Sequence, residues 1–334
     1  MSQYEKPEII GFQNEQDKIF PPQVVITTSA ICNSQCPNCW ARQGGVRERE
    51  GVLFMPYDLI MKIYREAKEV KEKFGINPIL RHTGMGEPFM NPHLVLALLD
   101  GIEMGLTLSV ITNGSLLIPR LAKVLLDAGI DMLEFSVDAG TKEEYDKIRV
   151  GLDWDTLNKN INFILDYRKK HNKKTKVICS IVKHPGVDFE RAMTYWQKKG
   201  MDDVMGRVYL TYGVLSKDNY AAEPYLDPNN RIACSHPFRR LTIVTNGNAT
   251  FCNYDVRPNQ GYYMGNVVKQ SIQEIWQSQK FNEWRQLQLA GRWQEIPLCQ
   301  ECDDWKYKPW LNTYDHKVRQ KAEEEMNKKI ENKN

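Results

Sequence analysis

The sequence lacks the features that mark several classes of protein. Its 334 residues carry a net charge of only +3, because 45 basic side chains are offset by 42 acidic ones, and this balance argues against a nucleic-acid-binding protein. No stretch approaches the length of a membrane-spanning apolar helix, and residues 1–14 lack the apolar core of a signal peptide. Apolar residues make up 42% and charged residues 26%, which excludes disordered and fibrous proteins. We therefore expect a cytoplasmic, globular protein without membrane or nucleic-acid partners.

Eight cysteines stand out against this ordinary composition. A reducing compartment disfavours structural disulfides, so the thiols are expected to be metal ligands, catalytic groups or buried core residues. One remains alone, Cys179. Seven fall into two sets, which we call the first cysteine set (C-x3-C-x2-C) and the second cysteine set (C-x17-C-x46-C-x2-C). The first set is Cys32, Cys36 and Cys39, and the second is Cys234, Cys252, Cys299 and Cys302.

The two sets differ in the number of thiolates that they offer. Three thiolates on a cluster of four irons leave one iron open, whereas four thiolates close a cluster completely. Zinc is the alternative for both sets, and it usually recruits a fourth Cys or His, which the first set lacks nearby. The second set taken alone fits a structural zinc site as well as a 4Fe–4S cluster.

The order of elements predicts an α/β protein. Six short β-branched runs alternate with amphipathic helical stretches, and such repeats form a parallel sheet that curls into an open or partial (β/α)6 barrel. The strands are predicted at 23–28, 78–82, 106–112, 132–137, 176–182 and 204–212. A β-hairpin around residues 245–248 and a helix over 271–286 then predict a smaller second unit. We expect an N-terminal extension (1–22), the barrel (23–226), the second unit (227–314) and a charged tail (315–334).

Several motifs in order resemble the radical SAM superfamily. The first cysteine set follows the first strand, and Thr83-Gly84-Met85-Gly86-Glu87-Pro88 resembles the GGEP motif that holds the amino group of S-adenosylmethionine (SAM). The resemblance implies that the first set binds a 4Fe–4S cluster whose open iron binds SAM. Met85 departs from the motif, and Asn38 stands where an aromatic residue is usual. The residues that the resemblance assigns to SAM are Gly84, Gly86, Glu87, Asn113, Ser136, Asp138 and Arg149.

The second unit resembles the SPASM/twitch extension of this superfamily. Cys234-x12-Gly247-x4-Cys252 matches the opening of that module, and no cysteine follows Cys302. The match is therefore to the truncated twitch form, which implies one auxiliary 4Fe–4S cluster with all four ligands supplied by the second cysteine set.

The resemblance implies an oxidoreductase. SAM would be cleaved to a 5′-deoxyadenosyl radical that abstracts hydrogen from a polar small molecule, for which we expect a sugar or cyclitol, and the auxiliary cluster would accept an electron in a dehydrogenation. A flavodoxin or ferredoxin would supply the reducing electron. Candidate substrate contacts are His82, Arg207 and Tyr209, although His82 fits equally a hydrogen-bonded core residue and Arg207 a surface ion pair.

Three alternatives remain open. An epimerase would use Cys179 on the fifth strand as a catalytic hydrogen donor, although a cysteine on an apolar strand is usually a core residue. A peptide-modifying maturase is less expected, because only 22 residues precede the first strand, too few for a peptide-recognition domain. A non-catalytic zinc protein is the least expected reading.

Overall fold

A computed structural model describes residues 11–37, 39, 51–84, 86–207, 231, 233–253, 255, 262–300, 302 and 305. Within them, one nine-stranded sheet runs in the order β6-β5-β4-β3-β2-β1-β7-β8-β9. The first six strands and β7 pair in parallel, whereas β8 and β9 are antiparallel. The strands are β1 (Gln23–Ile26), β2 (Ile79–His82), β3 (Thr107–Thr112), β4 (Met132–Ser136), β5 (Lys176–Val182), β6 (Asp203–Arg207), β7 (Arg240–Ile243), β8 (Asn248–Thr250) and β9 (Tyr263–Asn266).

Helices follow the strands as the sequence predicts, and local signals fix their ends. The second helix ends at Gly75, which adopts a left-handed conformation with φ of 67°. Asp153 and Asp188 cap later helices by accepting hydrogen bonds from backbone N–H groups of the first turn. The helices are α1 (Gln16–Ile19), α2 (Tyr57–Phe74), α3 (Leu94–Glu103), α4 (Pro119–Ala128), α5 (Lys142–Ile148), α6 (Trp154–Lys170), α7 (Phe189–Lys198), α8 (His236–Arg239), α9 (Ile272–Trp276), α10 (Gln279–Leu289) and α11 (Pro297–Gln300).

The register gives the sheet two different faces. Residues paired in parallel register project to the same side, so Phe135 of β4, Cys179 of β5 and Val204 of β6 share one face. All three are buried in the hydrophobic core, which the helices cover. The alternate residues, Glu134 among them, face the barrel interior. The predicted α/β partial barrel is confirmed.

The C-terminal strands extend the barrel sheet rather than forming a sheet of their own. β7 pairs in parallel with β1, and the Thr27 N–H donates to the Ile243 carbonyl at 2.9 Å. The predicted hairpin is present as β7–β8, and β9 adds a third strand. The single helix expected over 271–286 is instead two helices, α9 and α10. The break comes at Ser278, whose side chain caps the N-terminus of α10.

Some predicted features lie outside the described residues. These are the boundaries at 226 and 314, the tail at 315–334, and the final part of the sixth strand beyond Arg207. The division into units remains a prediction. Among the residues that the structure describes, none of the helices combines the length and apolarity needed to cross a bilayer.

We predict that Tyr64→Phe destabilises the fold. Tyr64 on α2 lies 2.6 Å from His82 Nε2, and both side chains are buried between helix and sheet. Leaving His82 without this partner lowers the free energy of unfolding by about 1–3 kcal/mol. We expect a lower Tm in anaerobic thermal unfolding. Tyr57→Phe on the same helix, which removes a hydrogen bond to Asp100 near the surface, is expected to change Tm less. Equal Tm values for Tyr64→Phe and the unmodified chain would contradict the assignment.

Candidate functional site

The first cysteine set occupies a loop that follows β1. The Sγ atoms of Cys32 and Cys36 lie 3.1 and 3.5 Å from the Ser34 hydroxyl, so the two thiols sit beside the same side chain. The Cys39 N–H donates to the Cys36 carbonyl at 3.1 Å. All three thiols are partly exposed. The loop thus presents the Cys32 and Cys36 thiols together, with Cys39 three residues further on, after the carboxyl end of β1, the end at which barrel proteins place their active sites.

Hydrogen bonds between side chains join this loop to the end of β3. Asn113 Nδ2 donates to Asn33 Oδ1 at 2.9 Å and lies 3.8 Å from Cys32 Sγ. Asn33 Nδ2 in turn donates to the Ser115 hydroxyl at 2.9 Å. Asn113, expected from the resemblance to contact SAM, is buried and is engaged in holding the cysteine loop.

The glycine motif after β2 packs directly against the backbone of the cysteine loop. A Cβ atom on Gly86 would lie 2.2 Å from the Ser29 carbonyl oxygen, closer than real Cβ atoms approach. One on Gly84, whose φ is +146°, would lie 2.4 Å from Thr27 Oγ1. Only glycine permits this close approach of two chain segments. Met85 lies outside the described residues.

Glu87 ties the same motif to β3. Its carboxylate accepts hydrogen bonds from the Thr112 hydroxyl at 2.6 Å and from the Asn113 N–H at 2.8 Å. Burial nevertheless raises the pKa of Glu87, although these donors oppose the effect. The carboxylate therefore organises the motif through contacts inside the protein.

Arg149 and Asp138 form a buried ion pair beside the first cysteine set. Arg149 Nη2 lies 2.5 Å from Asp138 Oδ2, and its Nη1 lies 3.8 Å from Cys36 Sγ. Burial opposes ionisation of Asp138, but the Arg149 charge outweighs it, and with His184 at 3.5 Å it lowers the pKa of Asp138 to about 2. Asp138 has φ of +56°, a strained left-handed conformation. Ser136, two residues earlier, is half-buried on the interior face of β4.

The barrel interior holds a second group of charges. Glu134, which is fully buried, pairs with Arg81 and with Arg207 Nη2, the latter at 2.7 Å. Burial disfavours the charged carboxylate, but the two guanidinium groups outweigh it and lower the pKa of Glu134. Arg207 thus lies at the predicted place on β6, with a side chain that is 30% exposed. Tyr209 lies outside the described residues.

Sequence reasoning missed Arg81 and Glu134. Each is a charged residue within a short strand whose other residues are mostly apolar, and each has the parity of the face opposite the helix-covered core. A charge at such a position is rarely buried without a partner. A charged residue at an interior-facing position of a strand was therefore the signal that could have identified both residues.

Two other predicted residues face away from the interior. His82 projects toward α2 and is fully buried, and this burial lowers its pKa to about 3. Cys179 shares the helix-covered face with Phe135 and is also fully buried. Burial, reinforced by the Glu134 carboxylate, raises the pKa of the Cys179 thiol. Both placements favour the core-residue alternatives over contact with substrate.

A glutamine joins two residues of the second cysteine set. Gln288 Nε2 donates to Cys299 Sγ at 3.1 Å, and its Oε1 accepts from the Cys234 N–H at 3.0 Å. Burial, together with the neighbouring Cys299 and Cys302 thiols, raises the pKa of Cys234. Cys252 follows β8 and packs, half-buried, against the core.

The two cysteine sets lie at opposite ends of one strand pair. Cys32 follows the carboxyl end of β1, whereas Cys234 precedes the amino end of β7, its parallel neighbour. Because β8 runs antiparallel to β7, Cys252 returns to that same amino end. Four strand residues span about 13 Å. The length of this strand pair thus separates the two sets.

The donor sets fit iron–sulfur clusters. Each set is cysteine only, and thiolates are the usual ligands of such clusters. Among the described residues, no three His, Cys, Asp or Glu side chains converge closely enough to hold a single metal ion. In a 4Fe–4S cluster each thiolate binds its own iron. Around the first set, the glycine motif adds a tightly packed backbone. Arg149 adds a cation, which is the partner that a ligand with a carboxylate requires.

Family models match both parts of the chain. The model of the radical SAM superfamily matches residues 26–218, more than half of the chain. The model of the SPASM iron–sulfur cluster-binding domain matches residues 234–303, which include the whole second cysteine set. A radical SAM domain implies SAM and a 4Fe–4S cluster, and a SPASM domain implies auxiliary iron–sulfur clusters.

Two curated proteins illustrate the similarity. A tungsten-containing aldehyde ferredoxin oxidoreductase cofactor-modifying protein from Pyrococcus furiosus is 21% identical over 314 residues, covering 81% of this chain and 84% of that protein. A GTP 3′,8-cyclase from Lactiplantibacillus plantarum is 32% identical over 164 residues. That match covers 46% of this chain and 43% of the cyclase.

Solved structures share the fold. BtrN in complex with AdoMet and 2-DOIA matches with a TM-score of 0.55 at 17% identity, over 84% of this chain and 92% of BtrN. Streptococcus suis SuiB bound to its precursor peptide SuiA matches with a TM-score of 0.62 at 14% identity, over 79% of this chain and 66% of SuiB. With the family models, the motifs and the parallel sheet in agreement, the chain belongs to the radical SAM superfamily of enzymes and carries a SPASM iron–sulfur domain.

Proposed function

We propose that the chain is a radical SAM dehydrogenase acting on a polar small molecule, a sugar or cyclitol. The observation that carries this proposal is the placement of the two cysteine sets at opposite ends of the β1–β7 pair, in a sheet whose interior face carries paired charges. When bound, SAM and the first cluster supply a 5′-deoxyadenosyl radical, and the auxiliary cluster supplies an electron acceptor. A flavodoxin or ferredoxin is the proposed electron donor.

The residues around the first cysteine set have distinct proposed roles. Cys32, Cys36 and Cys39 are the iron ligands. Arg149 receives the SAM carboxylate, because its guanidinium lies beside Cys36 and has a buried Nε without a partner among the described residues. Asp138 orients Arg149 through the 2.5 Å ion pair. Ser136 offers a hydroxyl at the end of β4.

The glycine motif positions the SAM amino group in this proposal. Gly84 and Gly86 bring the motif against the cysteine loop. Glu87 fixes the motif to β3 with its side chain, so it contributes by positioning, and Asn113 does the same for the cysteine loop.

The charged interior favours a substrate rich in hydroxyl groups. Glu134 accepts and Arg81 and Arg207 donate hydrogen bonds, so a polyol meets both kinds of partner there. Arg207, half-buried at the end of β6, is the proposed substrate contact. A small-molecule substrate also agrees with the GTP 3′,8-cyclase relative, whose name gives a nucleotide substrate.

Dehydrogenation is favoured over epimerisation by the position of Cys179. A thiol that returns hydrogen to a substrate radical must reach the barrel interior, whereas Cys179 lies on the helix-covered face. The complete second cysteine set, by contrast, provides for a second electron transfer.

Gly86→Ala is expected to weaken SAM binding by about tenfold or more, equivalent to about 1.4 kcal/mol. The added Cβ would overlap the Ser29 carbonyl, so the motif and the cysteine loop must separate. Equilibrium binding of SAM to the anaerobically reconstituted protein measures this. Gly75→Ala, which has backbone strain but open space around its Cβ, should bind SAM normally. Unchanged SAM affinity in Gly86→Ala would remove the motif from the site.

Incubation with carbon-deuterated hexoses and cyclitols is expected to transfer deuterium to 5′-deoxyadenosine and yield one oxidised product per transfer. Mass spectrometry follows both compounds. Cys302→Ala should retain the transfer but lose the oxidised product, because the auxiliary cluster is incomplete. SAM cleavage without deuterium transfer from any of these compounds would sink the proposal.

Cys179→Ala is expected to keep product formation within about twofold while lowering stability by about 1 kcal/mol, as for a small core truncation. Product yield and Tm of the same preparation separate the two effects. A variant that stays folded, transfers deuterium and yet makes no product would restore the hydrogen-donor role and the epimerase alternative.

A further inference from the structure

Helix α10 buries two polar side chains, one turn apart, of which one contacts the second cysteine set and the other the segment that follows Cys234. Arg285 and Gln288 are 2% and 1% exposed, although most other polar residues of this helix face solvent. A buried amide costs free energy unless both its ends are bonded. Gln288 satisfies this requirement through two residues of the set, donating to Cys299 Sγ at 3.1 Å and accepting from the Cys234 N–H at 3.0 Å.

Arg285 fixes the position of this amide. Its Nε donates to the carbonyl of Pro237, three residues after Cys234, at 2.9 Å, and its Nη1 donates to the Trp276 carbonyl at 2.6 Å. The guanidinium carbon also lies 4.0 Å from the ring centre of Trp276 and 4.1 Å from that of Phe281. Helix α10 is thereby clamped to the segment that carries Cys234, so Gln288 meets Cys299 from a rigid support.

We propose that Gln288 is a positioning residue that sets the reduction potential of the auxiliary cluster. A hydrogen bond donated to a thiolate ligand stabilises the more negative, reduced cluster and so raises its potential. The proposal rests on the proposed function only in that the second cysteine set binds a cluster. A raised potential makes that cluster a better electron acceptor.

The short contact recorded at the first cysteine set is of a different kind, since it joins Cys32 Sγ to the Ser34 hydroxyl at 3.1 Å. The side-chain N–H groups recorded beside it, on Asn113 and Arg149, lie 3.8 Å from Cys32 Sγ and Cys36 Sγ. The Arg149 charge is offset by Asp138. The Gln288 amide N–H can only donate to Cys299 Sγ, whereas in the Ser34–Cys32 pair either atom could be the donor.

Three variants of the full chain test this role. Gln288→Glu keeps an oxygen to accept from the Cys234 N–H but replaces the donor to Cys299 with a carboxylate oxygen. Gln288→Met has a similar length and removes both bonds without adding charge. Gln286→Glu is the matched control, because Gln286 is exposed on the same helix. Each protein is reconstituted anaerobically, assayed for iron, and titrated with EPR detection of both clusters.

Gln288→Glu is expected to lower the reduced-to-oxidised ratio of the auxiliary cluster by at least tenfold at a fixed potential, which is about 59 mV for a one-electron couple. Gln288→Met should shift it the same way by less. Gln286→Glu should not shift it, and the first cluster should keep its potential in all three variants.

Full iron content with an unchanged auxiliary potential in both Gln288 variants would overturn the proposal. If Gln288→Glu loses iron, Gln288→Met decides the outcome alone. Loss of iron by both variants would mean that Gln288 holds the ligand loop and does not tune the cluster, which also overturns it. Failure of the proposed function is seen separately, as absence of an auxiliary-cluster signal or of deuterium transfer in the unmodified protein.

Discussion

The pairing of β1 with a strand on each side is the constraint on which the rest of the structure depends. This four-residue strand pairs in parallel with β2 on one side and β7 on the other. Its carboxyl end leads into the first cysteine set, and its pairing with β2 brings the glycine motif against that loop. Its pairing with β7 carries the second cysteine set to the opposite end of the same sheet. One short strand thus fixes the position of both redox sites relative to the barrel interior.

Charge compensation inside the barrel is the second requirement. Isolated buried charges are costly, and two buried carboxylates here are matched by guanidinium groups, Asp138 by Arg149 and Glu134 by Arg81 and Arg207. The pairs keep the interior polar while compensating the charges of these two carboxylates. Asp138 presents its carboxylate from a left-handed backbone, a conformation that Asp tolerates better than most residues with a side chain.

The fold and the cysteine chemistry were accessible from the sequence because both rest on local spacing. Each of these features is defined by residues that lie close together in the sequence. This holds for the periodicity of strands and helices, for the C-x3-C-x2-C loop and for the glycine motif. The pairing of β7 with β1 was not accessible, since nothing local states which edge of the sheet a distant hairpin joins.

Side-chain direction was the other gap. His82 and Cys179 lie on predicted strands, but whether each faces the helices or the interior depends on register with neighbouring strands. The same is true of Glu134, whose role emerges only when β2 and β6 bring two arginines to it. Gln288 is a helical glutamine with no motif, and its contact with Cys299 is a property of tertiary packing alone.

The central claim is that the two cysteine sets bind clusters with different roles. Its most direct test is whether SAM changes the EPR spectrum of each cluster. A variant with Cys32, Cys36 and Cys39 all changed to Ala, and the unmodified chain, are reduced anaerobically, and EPR spectra are recorded with and without SAM. We expect SAM to alter the first cluster of the unmodified chain and to leave the cluster of the variant unchanged, because four thiolates leave it no open iron. A SAM-dependent spectrum in the variant, or a colourless variant that holds zinc, would contradict the division of labour between the two sets.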